Sequence, residues 1–453
     1  MTLFSIRHLA LMIFSPLGVL AAGAAGAEEP SLERPSAFMT GDVAEPSADA
    51  LEAYAMGHDA LSAKREELAV RMFRLGCDQR DPRSCFNAAK ISEDRLDAQP
   101  AANSSDQRLI TAITDGFSSA CDLGFQRGCA NLVRYLRSPD YGLQDLPKAR
   151  LLARAACDAG VALACGELAE MHYRGEGMTI DLPKAADLFQ HACETDGPAT
   201  SCFNFGLMLA KGQAQGVEAK EVSFYYREGC RRGSNEACIN LAVEYASAPD
   251  KPGYLEIASG LLEQVCKRGA AVACKNLAVL TLDHRLGAEP PATAAALYRK
   301  ACDAGEGGAC RGLGNLAQEG VRHAGTPREA VGLFEKGCDF GSGPSCYNAG
   351  LMHLIGYKTA ERPIIGLQWF AKGCSLGSAP SCAGAAIASY SPKPKHPHLG
   401  LDASRRWLEQ ARVLDPAEPV VLSLEGWLPD ETTDVPAPTA PPLPPLPPSP
   451  PPR

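Results

Sequence analysis

Bulky apolar residues recur in adjoining pairs: Leu188-Phe189, Tyr225-Tyr226, Leu297-Tyr298, Leu333-Phe334 and Trp369-Phe370. Each pair stands five and four residues ahead of a cysteine, inside an apolar-periodic stretch. That spacing predicts a helix with one buried face. Lys148-Ala149 and Lys184-Ala185 open two of these stretches, with Pro147 and Pro183 just ahead, where a first-turn proline is tolerated. A second cysteine then opens another helical stretch, as in Cys165-Gly-Glu-Leu-Ala-Glu-Met-His-Tyr, which ends in the turn Arg174-Gly175-Glu176-Gly177. Strand-like alternation appears nowhere, so the pattern predicts an all-α chain.

The cysteines set the period. All 18 fall into pairs: Cys77 with Cys85, Cys121 with Cys129, Cys157 with Cys165, Cys193 with Cys202, Cys230 with Cys238, Cys266 with Cys274, Cys302 with Cys310, Cys338 with Cys346, and Cys374 with Cys382. Their first members are 44, 36, 36, 37, 36, 36, 36 and 36 residues apart. A fixed period over nine repeats predicts a right-handed α-α superhelix, a solenoid of about nine 36-residue hairpins. Three residues after the first cysteine, seven of nine repeats carry glycine (124, 160, 233, 269, 305, 341, 377), the left-handed residue that ends a helix. One cysteine lies in a last turn and its neighbour in the next first turn. A tight turn between antiparallel helices brings such Cα atoms within roughly 4.4–6.8 Å, so each repeat is expected to hold its own disulfide. Zinc sites prefer cysteines two to four apart, converging in fours, so neither metal nor cofactor is expected.

The chain ends differ from the repeats. Arg7 and His8 precede an apolar run, Leu9 to Leu20, and then Ala25-Gly26-Ala27. This reads as a secretory signal over 1–27, cleaved after Ala27, followed by a linker over 28–50. No later stretch reaches the roughly 18 apolar residues of a membrane helix, so no membrane span is expected after signal removal. The address is then periplasmic or extracellular, which suits disulfides. The solenoid is assigned to 51–415, with Leu51–Gly76 supplying its first helices and Asp402–Leu414 its last. A C-terminal cap follows over 416–428, then a tail over 429–453 that carries twelve prolines. Such a tail is extended polyproline II, a semi-rigid spacer; Pro448-x-x-Pro451-x-Arg453 also has the shape of a ligand for proline-reading domains. With 44 basic and 53 acidic residues the net charge is −9, which argues against a nucleic-acid partner.

The stretch Cys157-Asp-Ala-Gly-Val-Ala-Leu-Ala-Cys-Gly-Glu-Leu-Ala-Glu-Met-His-Tyr-Arg-Gly-Glu-Gly, followed by Asp181 and Lys184-Ala185, resembles a known pattern. It is the A-C-x-x-L-A-x-x-Y-x-x-G-x-G…D-x-x-K-A of the Sel-one-like repeat family, relatives of the tetratricopeptide repeats. A cysteine pair in every repeat is similar to that family's secreted bacterial cysteine-rich branch. The resemblance covers about residues 60–414. Three places depart from it: the turn Ser247–Tyr254, an insertion at Ser92–Asp106, and Ser391-Pro-Lys-Pro-Lys-His-Pro-His. The resemblance implies a scaffold for a protein or peptide partner. It also implies an alternative, because members of that branch are described as penicillin-binding proteins or β-lactamases, with a cell-wall or β-lactam ligand.

The residues weigh on that alternative. A serine β-lactamase needs Ser-x-x-Lys, which is absent from this sequence. The zinc motif H-E-x-x-H is absent too, and of the nine histidines only His396 and His398 lie close together. Gly373-Cys374-Ser375-Leu376-Gly377 matches G-x-S-x-G, but a helix precedes it where a nucleophile elbow needs a strand. No catalytic residue is assigned. The binding candidates are a column two residues after the second cysteine: Asn87, Asn131, Asn204, Asn240, Asn276 and Asn348, with Glu167 in the third repeat. These side chains either line an inner face that grips a peptide backbone or bond a neighbouring turn and hold the stack. Tyr135, Tyr173 and Tyr245, further along the same helices, are expected to pack between layers.

Overall fold

The computed structural model describes residues 45–99, 106–217, 220–248, 251–283, 290–358, 360–390, 399–424 and 428. The signal segment, most of the linker, the proline-rich tail and the His396 and His398 pair lie outside them. The described residues form twenty-one α-helices and no strand. Consecutive helices pack on one another as hairpins, the architecture of an α-α solenoid.

The chain groups into two compact units, Met1–Leu241 and Ala242–Arg453. The first holds α1 (Ala48–Ser62), then the hairpins α2 (Glu66–Asp78) with α3 (Pro82–Asp97) and α4 (Gln107–Asp122) with α5 (Gln126–Arg137). It continues with α6 (Leu146–Asp158) and α7 (Ala162–Arg174), α8 (Leu182–Glu194) and α9 (Ala199–Ala210), then α10 (Val222–Arg231). Helix α11 (Asn235–Ala246) carries the boundary. The second unit holds α12 (Tyr254–Lys267) and α13 (Ala271–Asp283), α14 (Pro290–Asp303) and α15 (Gly307–Gln318). It ends with α16 (Glu329–Asp339) and α17 (Gly343–Ile355), α18 (Pro363–Ser375) and α19 (Ala379–Tyr390), then α20 (Leu401–Leu414) and α21 (Pro419–Leu422).

Local chemistry explains the helix ends. Asp145 and Asp181 each accept the amide three residues on, Lys148 N and Lys184 N, at 3.0 Å. Each thereby satisfies a donor that a first turn leaves open. Pro147 and Pro183 occupy that turn. At the other end, the glycines of the seven repeats have φ between 79° and 101°. The two repeats without glycine force the same conformation on Arg80 (φ 68°) and Asp196 (φ 65°).

Every cysteine is bridged to the neighbour that the spacing assigns to it. Cys77 is bonded to Cys85, Cys121 to Cys129, Cys157 to Cys165, Cys193 to Cys202 and Cys230 to Cys238. Further along, Cys266 is bonded to Cys274, Cys302 to Cys310, Cys338 to Cys346 and Cys374 to Cys382. The Cα atoms of each pair are 4.6 or 4.7 Å apart, within the range that such a bridge requires. No cysteine is free. Bridges in this number call for an oxidising compartment. So close an approach leaves little room beside each bridge. A Cβ on Gly76 would stand 2.4 Å from Ser84 Oγ, and one on Gly337 2.6 Å from Ser345 Oγ. In the second hairpin the sizes are exchanged, and a Cβ on Gly128 would meet the Ala120 Cβ at 2.7 Å.

A continuous apolar core in the first unit runs from Ala89 to Tyr225, through Phe117, Tyr135, Phe189 and Phe205. The insertion expected at Ser92–Asp106 is in part helix: α3 continues to Asp97 because Ile91 and Leu96 are buried. At the far end Val421 and Leu424, in and just after α21, pack with Leu408 and Ala411 of α20 and Ala383 and Ala386 of α19. No helix among the described residues is long and apolar enough to cross a membrane.

Candidate binding face on the second helices

The amide column sits on the second helix of each hairpin, half-buried in every case. Asn87 Nδ2 lies 3.3 Å from His58 Nε2 of α1. Asn131 donates to Arg127 O of its own helix at 2.8 Å. Asn204 donates to Glu170 Oε2 of α7 at 3.1 Å. In the second unit Asn348 donates to Asn315 Oδ1 of α15 at 3.5 Å, and Asn276 Nδ2 is buried without a partner among the described residues. Asn240, in the first unit, is half-buried on α11. Several of these bonds run from one hairpin to the one before it. Two repeats have glycine instead of an amide because an aromatic ring fills the space: a Cβ on Gly312 would stand 2.6 Å from Tyr298, and one on Gly384 2.5 Å from Phe370. Burial pushes the Tyr298 phenol up to about 12.

Charged side chains complete the face in the first unit. Glu93, towards the end of α3, is 2% exposed. It accepts from Tyr135 Oη at 2.8 Å and pairs with Lys90 and Arg134. Three donors make its burial tolerable. Burial opposes the charge on Arg134, but Glu93 and Tyr135 outweigh it and hold its pKa above the ordinary arginine value. Burial and the bond to Glu93 together push the Tyr135 phenol well above its usual range. One hairpin on, Arg137 bridges Glu167 Oε2 at 2.5 Å and Glu176 Oε2 at 2.7 Å. Burial again opposes its charge, and the two carboxylates more than compensate. Glu176 lies 3.9 Å from Arg174, which pairs with Glu170, the acceptor of Asn204. A polar seam therefore crosses α3, α5, α7 and α9, in two bonded groups that both include residues of α5.

No protein-family model matches the chain, and no curated protein matches it. Among solved structures it is similar to a protective antigen present in uropathogenic Escherichia coli strains, which displays an SLR fold. The identity is 18%, the alignment covers 85% of this chain and 88% of that one, and the TM-score is 0.52. The chain has the Sel-one-like repeat fold. It is also similar to a Sel1 repeat protein from Oxalobacter formigenes, at 16% identity over 90% of this chain and 98% of that one, with a TM-score of 0.49.

Within this Sel-one-like fold, Ser375 sits in the last turn of α18, exposed, and its hydroxyl donates to Lys372 O at 2.7 Å. Nothing there aims it at a substrate. His172 and His353 each stand seven residues after a second cysteine, with a buried Nδ1 that has no partner among the described residues. Burial lowers the His172 pKa. His353 Nε2 lies 2.6 Å from Glu335 Oε1. Two depressions among the described residues are open to solvent, one lined by Arg299, Lys300, Asp303 and His323, the other by Lys64, Arg65, Glu66, Glu67, Arg71 and Arg95. Neither encloses a small molecule as ligand clefts usually do.

Proposed function

We propose that the protein is a binding scaffold for a protein or peptide partner in the periplasm or outside the cell, delivered by cleavage of the segment 1–27. The observation that carries this reading is the polar seam of the first unit. It is contributed by successive hairpins, and each hairpin is clamped by its own bridge. A surface held in place before the partner arrives loses little freedom on binding, and that raises affinity. The related structures support this through their shared fold alone. Nothing among the described residues favours β-lactam hydrolysis.

The test is selection of a random peptide display library on the oxidised mature chain. Selected peptides should bind the oxidised protein and weaken by about tenfold or more once it is reduced. A library that yields no binder would sink the reading. So would turnover of a chromogenic cephalosporin that co-migrates with the protein and is titrated by a covalent penicillin.

A further inference from the structure

Three ion pairs at α3 and α5 hold their charges at different depths. Arg83 is 41% exposed over Asp81, whose side chain is fully buried. Lys90 and Arg134 are 40% and 52% exposed over Glu93, at 2%. In each pair the cation is outermost. Arg127 is exposed in the first turn of α5 and pairs with no carboxylate among the described residues. Four cations thus stand over two buried carboxylates, and the cations are what a partner would touch.

The positions are ordered as well. Arg83, Asn87 and Lys90 stand at i, i+4 and i+7 on α3; Arg127, Asn131 and Arg134 repeat that spacing on α5. Such residues share one stripe of a helix. Each stripe reads cation, amide, cation. The two amide side chains meet no donor at Oδ1 among the described residues, so each has an oxygen for an incoming N–H. Seven residues of helix rise about 10 Å, and one turn of an extended polyproline II chain, which brings every third side chain to the same side, spans about 9 Å. Carboxylates three apart on an extended peptide therefore match the two cations of one stripe, with the amide between them beside the peptide backbone. The buried carboxylates beneath Arg83, Lys90 and Arg134 keep those three cations in place, so little of their side-chain freedom is lost on contact.

We infer that the α3–α5 face binds an extended acidic segment of a partner protein, with carboxylates on Arg83, Lys90, Arg127 and Arg134 and backbone on Asn87 and Asn131. This rests on the reading of the chain as a scaffold and names the partner's chemistry. Charge complementarity, set against an overall charge of −9, supports that occupant.

The probe is a fluorescein-labelled Gly/Ser peptide with glutamate at every third position, read by anisotropy against the oxidised full chain. Its twin has glutamine at those positions. The glutamate peptide should bind about tenfold more tightly than the twin, and the difference should shrink as salt rises. Arg127→Gln should weaken it about threefold to tenfold. That variant leaves Glu93 and Asp81 with all their partners, so its fold is not at issue, and circular dichroism checks it. Arg134→Gln should act in the same direction. Equal affinity for the twins, or unchanged affinity in both variants, would overturn the inference. So would tighter binding of a single-stranded oligonucleotide than of the glutamate peptide. If library-selected peptides still bind while both twins fail, the scaffold reading stands and the acidic partner falls. If no library peptide binds, both fall together.

Discussion

Arg80 and Asp196 stand where seven other repeats have glycine, and both hold a positive φ. A Cβ in that conformation crowds the neighbouring carbonyl at a cost of roughly 1–2 kcal/mol, partly offset by the entropy that glycine itself loses on folding. Arg80→Gly should therefore raise stability by about 0.5–1 kcal/mol, read as a higher urea midpoint at unchanged slope. Asp196→Gly should gain less, since aspartate tolerates the left-handed region. A loss of stability at Arg80 would mean that its side chain makes contacts outweighing the backbone strain. The turn was legible in the sequence because the glycine column is nearly full. Its two exceptions were not, since a missing glycine does not say whether the backbone or the residue yields. The charged residues of the seam were hidden for a different reason. Glu93 and Arg134 meet across 41 positions, a separation that matches no multiple of the repeat, so the pairing cannot be read from the columns.

Hairpins are set by size beside the bridge. Gly76 faces Ser84 and Gly337 faces Ser345, while Ala120 faces Gly128. One partner must yield room whenever the other takes it. Gly76→Ala alone should cost about 1–3 kcal/mol through overpacking. Adding Ser84→Gly should recover a good part of that loss, because the pair then copies the second hairpin. Thermal midpoints of the single and double variants, compared as a cycle, give the coupling. Additive losses would show that the two positions do not share this space. Hairpin existence and order followed from the cysteine period, and so did the partner of each cysteine, because the short turn leaves only the neighbour within reach. The length of α3 did not, because its last turn is anchored by Leu96 and by Glu93 beneath Arg134, contacts made with later parts of the chain.

Across the whole chain, stability is built from repeats that touch mainly their neighbours. Such arrays lose stability locally when one element is weakened. Removing one bridge, as in Cys302→Ala with Cys310→Ala, should cost about 2–3 kcal/mol in its own hairpin. Hydrogen exchange should rise in α14 and α15, and less in α13 and α16, with the first unit unchanged. Faster exchange throughout the chain would instead mark a single cooperative unit. The sequence could not show which second-helix residues bond to one another across repeats, because those contacts depend on how the hairpins stack.

The closure of every bridge within its own hairpin also bears on how the protein is made. Eighteen thiols can pair in on the order of tens of millions of ways. A chain that enters an oxidising compartment end first meets its cysteines in order. When the second cysteine of a pair emerges, its correct partner lies eight or nine residues behind, nearer than any cysteine of another pair. Order of arrival therefore favours the native connectivity without later reshuffling.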